Sequence, residues 1–356
     1  MGSSFTGEPV SLQNFWAKKQ EEAIRLYCGI CEDDWNGQPV RVGPLACVSP
    51  VYGRTLQTKS VNYVRIAPET RVVIQDSGAF CDGPGQRLTF AAAHKRQVEH
   101  AARFDYDWRL SHRASYDMLI DEHWGTDGRR SKCRWTENEA WEACIETIRA
   151  AAFLSAHREG IPCILSAQGI TASQYLKCVQ GILPYLRDGD MLGLGGFCIV
   201  GLQHRLLPIF RQVIHEVVPF VASEGVKHIH LWGCLYAPAL GELLYLCDQH
   251  CINLSVDSVG PSLRPVFGRW GYSFWTNRAY RRPPLSALGR HRMLHVYLVR
   301  RWLQAFRVLE RRYYRWIPIR RQWRFFEDLN EEAVSAFEGA VCREGESRAS
   351  LYRSAV

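Results

Sequence analysis

The sequence predicts an α/β protein, a (β/α)8 barrel of the TIM type with a helical C-terminal extension rich in arginine and aromatic residues. Two observations carry this prediction. From about residue 60, short apolar runs alternate with longer helical stretches, the pattern of parallel strands covered by helices. Three of the runs end on an aspartate at the mouth of a loop, namely Asp76, Asp121 and Asp257. In a barrel of parallel strands the catalytic groups gather on the carboxyl-terminal rim, so the pattern puts three carboxylates on one rim.

In chain order, residues 1–60 predict a helix over 14–27 and a glycine- and proline-punctuated segment that closes the barrel. The barrel is expected over 61–285 and the basic helical extension over 286–356. Strands are expected at 61–67, 71–75, 116–120, 162–167, 191–195, 228–233 and 252–257. Helices are expected between them, at 88–103, 137–157, 172–187, 206–223 and 239–250. In the helix from Glu137, residues Trp141, Cys144, Ile145, Ile148, Ala152 and Phe153 recur at i, i+3/i+4 and predict the buried stripe. An open doubly wound sheet would be expected to carry a glycine-rich phosphate loop, and neither GxGxxG nor GxxxxGK followed by Ser or Thr occurs. Segments 124–136 and 260–284 read as long loops on the rim that holds the aspartates.

At 356 residues the chain can bury one large core with a small appendage. No window has the length of uncharged apolar sequence that a membrane span needs, and the first residues lack a basic and apolar leader. The cysteines are scattered through apolar runs, as in Cys144, Cys163, Cys198 and Cys234, which predicts reduced, buried thiols and a cytoplasmic protein. The formal charge of +8 is concentrated late in the chain. Between Arg290 and Arg324 eleven arginines stand against one acid, Glu310, and aromatics such as Trp302, Tyr313, Trp316 and Trp323 interleave them. Guanidinium groups pair with phosphates and aromatic faces stack on bases, so Arg300, Arg301, Arg307, Arg311, Arg312 and Arg315 are candidate nucleic-acid-binding residues. A mere solvated face would normally mix both signs.

Further strand ends carry Ser166-Ala167-Gln168-Gly169, Gly193-Leu194-Gly195-Gly196 and Trp232-Gly233-Cys234. Glycines let a flat heterocycle approach the backbone, while a carboxamide and a carboxylate read its hydrogen-bonding edge. Two remaining carboxylates suit glycosidic chemistry, one attacking the anomeric carbon and the other moving protons.

These residues resemble the tRNA-guanine transglycosylase superfamily. Gln75-Asp76-Ser77-Gly78-Ala79-Phe80 is similar to its Asp-Ser-Gly-Gly-Phe signature, and Asp121-Glu122 to its Phe-Asp-Glu-Cys strand end. Gln168-Gly169 resembles Val-Gln-Gly-Gly, Leu194-Gly195-Gly196-Phe197 resembles Ile-Gly-Gly-Leu, and Leu231-Trp232-Gly233 resembles Leu-Met-Gly. Val256-Asp257-Ser258-Val259-Gly260-Pro261-Ser262 is similar to Phe-Asp-Cys-Val-Met-Pro-Thr. The motifs stand in the family's order across residues 71–262.

The resemblance implies Asp257 as the nucleophile that forms a covalent glycosyl-enzyme and Asp76 as the general acid/base. It implies substrate-binding roles for Ser77, Asp121, Gln168, Gly195, Gly196 and Gly233, and no cofactor. The zinc-binding Cys-x-Cys-x2-Cys of the tRNA enzymes is missing: after Cys251 the next cysteine is Cys342, and Cys28-x-x-Cys31 has no second pair, so no metal is expected. The basic Arg-Asn segment of those enzymes is replaced by Leu263-Arg264-Pro265 and an aromatic loop, 270–275. In both respects the chain looks like the DpdA branch, which inserts 7-deazaguanine bases of the preQ0 type into DNA in modification systems of the restriction type. The implied partners are DNA and a 7-deazaguanine base, with an ATP-dependent DNA-modification protein as a candidate partner and no membrane. Two alternatives remain open here: a tRNA-guanine transglycosylase lacking zinc, and a non-catalytic nucleic-acid-binding paralogue.

Overall fold

The computed structural model describes residues 24–30, 44–52, 60–82, 87–120, 135–198, 206–234 and 237–258, with short strands at 271–272 and 279–280. Its centre is a closed, all-parallel barrel of eight strands, and the predicted fold class is the observed one. In barrel order these are β1 (Ile24–Ile30), β2 (Leu45–Val48), β5 (Val72–Gln75), β6 (Leu110–Ala114), β7 (Cys163–Ala167), β8 (Met191–Leu194), β9 (His228–Leu231) and β10 (Asn253–Ser258), which returns to β1. Two antiparallel pairs lie outside it: β3 (Val51–Tyr52) with β4 (Ser60–Val61), and β11 (Gly271–Tyr272) with β12 (Ala279–Tyr280).

The helices are α1 (Ala79–Asp82), α2 (Phe90–Arg103), α3 (Glu137–Ala156), α4 (Ala172–Ile182), α5 (Leu206–Ser223) and α6 (Ala237–Gln249). Each of the three with a described cap starts where a threonine can accept from the helix: Thr89 from Ala92 N, Thr136 from Glu139 N and Thr171 from Gln174 N. At α3 the Glu139 carboxylate returns the bond to the Thr136 amide at 2.8 Å, completing a capping box.

Strands buried on both faces read as continuous apolar runs, as in Cys-Ile-Leu-Ser-Ala of β7. Their outward residues, among them Leu165, Leu192, Leu194, Ile229, Leu231, Leu254 and Val256, form one core with Val179, Phe210, Val213 and Leu243 of the helices. Burying each such side chain contributes about 1.5–3 kcal/mol, before the entropy of ordering it is subtracted. Inward, Tyr27, Cys47, Ile74, Ala114, Ile164 and Met191 fill the barrel as a second cluster.

The elements depart from the sequence expectations in four places. First, β1 and β2 come from the stretch expected to hold a helix and a closing segment, so the barrel's strands begin at Ile24. Tyr27 and Cys28 are both buried yet face opposite sides, so the strand shows no polar–apolar alternation. Second, the strand expected at 116–120 is β6, six residues earlier, at Leu110–Ala114. Its His112 and Arg113 disguise it: Arg113 is buried but reaches Gln75 Oε1 at 3.0 Å and Glu159 at 3.5 Å. Third, of the 61–67 run only Val61 lies in a strand, the Ser60–Val61 pair with β3 outside the barrel.

Fourth, the buried face of α3 is rotated from the predicted stripe and is made of Ala140, Ala143, Cys144, Thr147, Ala150, Ala151 and Leu154. Small residues let the helix lie close on the sheet, and the large ones flank it. Ile148 covers Gly181 of α4, and Phe153 stacks on His157 with centroids 4.1 Å apart. Trp141 lies on the surface beneath Lys177.

Helix α5 is long and apolar enough to cross a membrane by length and composition. Here one face packs on the barrel through Leu207, Phe210, Val213, Ile214 and Val217. Off that face, Arg211 and His215 bind the buried Glu242 of α6, at 2.7 and 3.1 Å.

Candidate active site

Asp76, Asp117 and Asp257 stand at the carboxyl-terminal ends of strands on one rim of the barrel. Asp76 follows β5 directly, and its amide continues the strand pairing through a 2.9 Å bond to Val48 O. Its carboxylate Oδ1 accepts the Ser77 amide at 2.7 Å. The Ser77 hydroxyl accepts from the Ala79 amide at 3.3 Å, so this serine caps the short helix α1. Gly78 stands at φ +80°, and a Cβ there would meet Arg96 Nη2 and Val51 Cγ2 at 2.7 and 2.8 Å. Arg96 donates to Ser77 O at 2.8 Å and grips the buried Asp82 with both terminal nitrogens. Behind the loop, Gln97 Nε2 donates to Asp76 O at 3.2 Å and to Ala114 O at 3.1 Å. The acid is thus mounted on a loop held from behind by Arg96 and Gln97.

Burial pushes the Asp76 carboxyl up to about 6, and the charges of Asp257 and then Asp117 push the same way. A carboxyl poised there exchanges protons readily near neutral pH.

Asp257 is the penultimate residue of β10, and its partner in register on β1 is Tyr27. Its Oδ1 accepts the Gly233 amide at 2.7 Å. Gly233 takes φ +67° just past β9, and a Cβ there would lie 2.7 Å from Cys198 Cβ, so the turn that aims its amide needs glycine. The role the structure places on Gly233 is therefore to hold Asp257. The fully buried His230 of β9 brings Nε2 to 3.4 Å from the same Oδ1.

Across the rim Gln168, just past β7, donates through Nε2 to Asp117 Oδ2 at 2.6 Å. The amide lies against the backbone of Gly195, where a Cβ would come within 2.0 Å of that Nε2. Gly196 takes φ +81°, and Tyr175 OH donates to Gly195 O at 2.7 Å, fixing the turn after β8. Gln168 Oε1 is buried with no hydrogen-bond partner among the described residues, an acceptor left for something else. Burial raises the Asp117 carboxyl, while Gln168 and then Arg87 act in the opposite direction. Trp232 lies over Gly193 and donates to Ser166 Oγ at 2.9 Å.

Of the residues expected from the sequence, Asp76, Ser77, Gln168, Gly195, Gly196, Gly233 and Asp257 all stand at strand ends on this rim. Asp121 lies outside the described residues, as do Arg300, Arg301, Arg307, Arg311, Arg312 and Arg315. The carboxylate beside Gln168 is Asp117, which follows the real end of β6. The sequence hides it because the apolar run at 116–120, not Leu110–Ala114, reads as the strand. Its signal was the polar Ser-Tyr-Asp that ends the Leu110–Ala114 run. His230 was missed because a histidine inside an apolar strand reads as core.

Among the described residues no group of three or more His, Cys, Asp or Glu side chains is arranged to hold a metal ion. The chain matches no protein-family model, and no curated protein is detectably similar to it in sequence.

Proposed function

We propose that the protein is a base-exchange transglycosylase that replaces guanine in DNA with a 7-deazaguanine base of the preQ0 type. In this reading Asp257 attacks C1′ of the nucleotide. The C1′–N9 bond breaks, and Asp76 protonates the departing purine. The incoming base then attacks C1′ and gives its N9 proton to Asp76, while the electron pair of the C1′–O bond returns to Asp257.

The observation that carries the reading is the electrostatic pairing of Asp76 with Asp257. One carboxyl is pushed up into the range of a proton shuttle, and the other accepts a backbone amide on one oxygen, with an imidazole nitrogen 3.4 Å from that oxygen. Asp117 and the unpartnered Gln168 Oε1 offer acceptors that suit the donor edge of a guanine-type base, lying over glycine backbone where a flat ring fits. The Arg/aromatic run from Arg290 to Arg324 favours a polynucleotide as the carrier of that base. A flipped base costs a few kcal/mol of unstacking, which phosphate contacts can offset.

The reading is tested by incubating the full chain with duplex DNA, single-stranded DNA or tRNA and radiolabelled guanine or preQ0, and counting label in the polymer. Label is expected in DNA. Label in tRNA alone would move the substrate to tRNA, and label in none would remove the catalytic reading. Gly195→Ala supplies a second check, since the added methyl must displace the Gln168 amide. Affinity for the free base, measured by calorimetry, is expected to fall about tenfold or more, because a buried polar contact is lost. Unchanged affinity would show that the base does not sit over this glycine.

A further inference from the structure

Resting on the base-exchange reading above, we infer that His230 is a positioning residue for Asp257: with the Gly233 amide it marks Oδ1 as the spectator oxygen, leaves Oδ2 to attack C1′, and speeds departure of the carboxylate in the second step.

The argument starts from the donors. Oδ1 of Asp257 accepts Gly233 N at 2.7 Å; His230 Nε2 lies 3.4 Å from the same oxygen, outside hydrogen-bond geometry and with no hydrogen-bond partner among the described residues, so it is a buried donor one short approach from Oδ1, while no donor among the described residues reaches Oδ2. His230 is fully buried on β9, with Tyr27 at its edge 6.1 Å away and Trp232 at 4.3 Å between centroids. Its Nδ1 lies 2.8 Å from Ser255 Oγ, and the same hydroxyl lies 3.0 Å from His228 Nε2.

A carboxylate cannot face an imidazole lone pair at close range, so the Nε2 of His230 carries hydrogen and its Nδ1 accepts. Ser255 then donates to His230, and His228 Nε2–H donates to Ser255. Burial, and then the neighbouring His230, lower His228 to about 3, which keeps that ring neutral and leaves one N–H for the hydroxyl. In the tautomer with hydrogen on His230 Nε2 the hydrogens of the chain His228–Ser255–His230 run toward Asp257, with Met191 Sδ, 3.7 Å away, as the other acceptor open to the Ser255 hydroxyl. The two Ser255 contacts fix the imidazole plane, and a metal-free second sphere of this kind orients a functional group as it does around ligands.

The consequence is kinetic and asymmetric. When Oδ2 bonds to C1′, Oδ1 becomes the ester carbonyl, keeps the Gly233 amide as donor and has His230 Nε2 beside it. When the incoming base attacks, the C1′–Oδ2 bond breaks and its electron pair returns to the carboxylate, whose developing charge is stabilised at Oδ1. Removing the His230 donor makes the carboxylate more basic, so attack is not slowed, but it makes the same carboxylate a poorer leaving group.

The test compares His230→Gln, whose Nε2 can occupy the position of imidazole Nε2, with His230→Asn, whose amide reaches only the Nδ1 position, and with His230→Leu. Each variant and the wild type are mixed with a guanine-containing oligonucleotide, and labelled preQ0 is added once the adduct has formed. Glycosyl-enzyme formed in single turnover and its decay on adding base are followed on denaturing gels, alongside thermal unfolding midpoints. Asn and Leu are expected to let the adduct accumulate, with decay slowed about 10-fold or more and formation unimpaired, while Gln stays near wild type. If Leu fails to fold, the Gln-against-Asn comparison carries the result. Equal behaviour of Gln and Asn, or formation and decay slowed together, overturns the inference while leaving base exchange intact. A wild type that exchanges no base overturns the base-exchange reading and this inference with it.

Discussion

Asp257→Asn is expected to abolish exchange, lowering the rate by about 10⁴-fold or more, because in the proposed base exchange the carboxylate bonds to the sugar and an amide is a poor nucleophile. The variant should fold as the wild type does. An asparagine Oδ1 still accepts the Gly233 amide, and the side chain is almost isosteric, so nothing in β10 has to move. Residual exchange within tenfold of wild type, measured as label incorporated per minute, would remove Asp257 from the chemistry. The effect separates from that of positioning residues, whose loss changes the partition between steps rather than erasing the first.

Asp76→Asn is expected to do two opposite things. Exchange falls by about 10²–10⁴-fold, since no group remains to protonate the leaving purine or take the proton of the incoming one. Stability, by contrast, rises at alkaline pH. The folded-state value of the wild-type carboxyl is raised to about 6 by burial and by its acidic neighbours, above the usual unfolded value. The stabilisation that comes from binding this proton tightly is therefore present below about pH 4 and is lost as pH rises through 6. At pH 8 the wild type carries a half-buried, ionised carboxylate near Asp257 and Asp117, and asparagine removes that charge. The variant should then exceed wild type by about 1–3 kcal/mol at pH 8 and by little at pH 4. A difference that does not change between those pH values would show that Asp76 is not perturbed.

These two acids were legible in the sequence because each ends an apolar run, and position at a strand end survives even when the strand's bounds are inexact. Gln168, Gly195 and Gly196 were legible for the same reason: β7 and β8 are buried on both faces and read as unbroken apolar runs. Asp117 was not, because β6 carries His112 and Arg113, whose partners Gly189 O, Gln75 and Glu159 come from distant parts of the chain. A charged strand residue satisfied by tertiary contacts has no local signature. The apolar Met118–Ile120 run that follows attracted the strand assignment in its place. Tyr27 and β1 were hidden in the same way, since pairing with β10 is a contact across most of the chain. His230 illustrates a further limit: its type was visible, but its role comes from Ser255 and Asp257 on the neighbouring strand.

A single measurement bears most directly on the pairing of Asp76 with Asp257. The wild-type chain is mixed with a guanine-containing DNA oligonucleotide without incoming base, quenched with denaturant, digested, and the cross-linked peptide is sequenced by mass spectrometry. The account predicts a deoxyribosyl ester on the peptide spanning Asp257, with guanine released in equal amount. Exchange that proceeds with no adduct, or an adduct on any other residue, contradicts it.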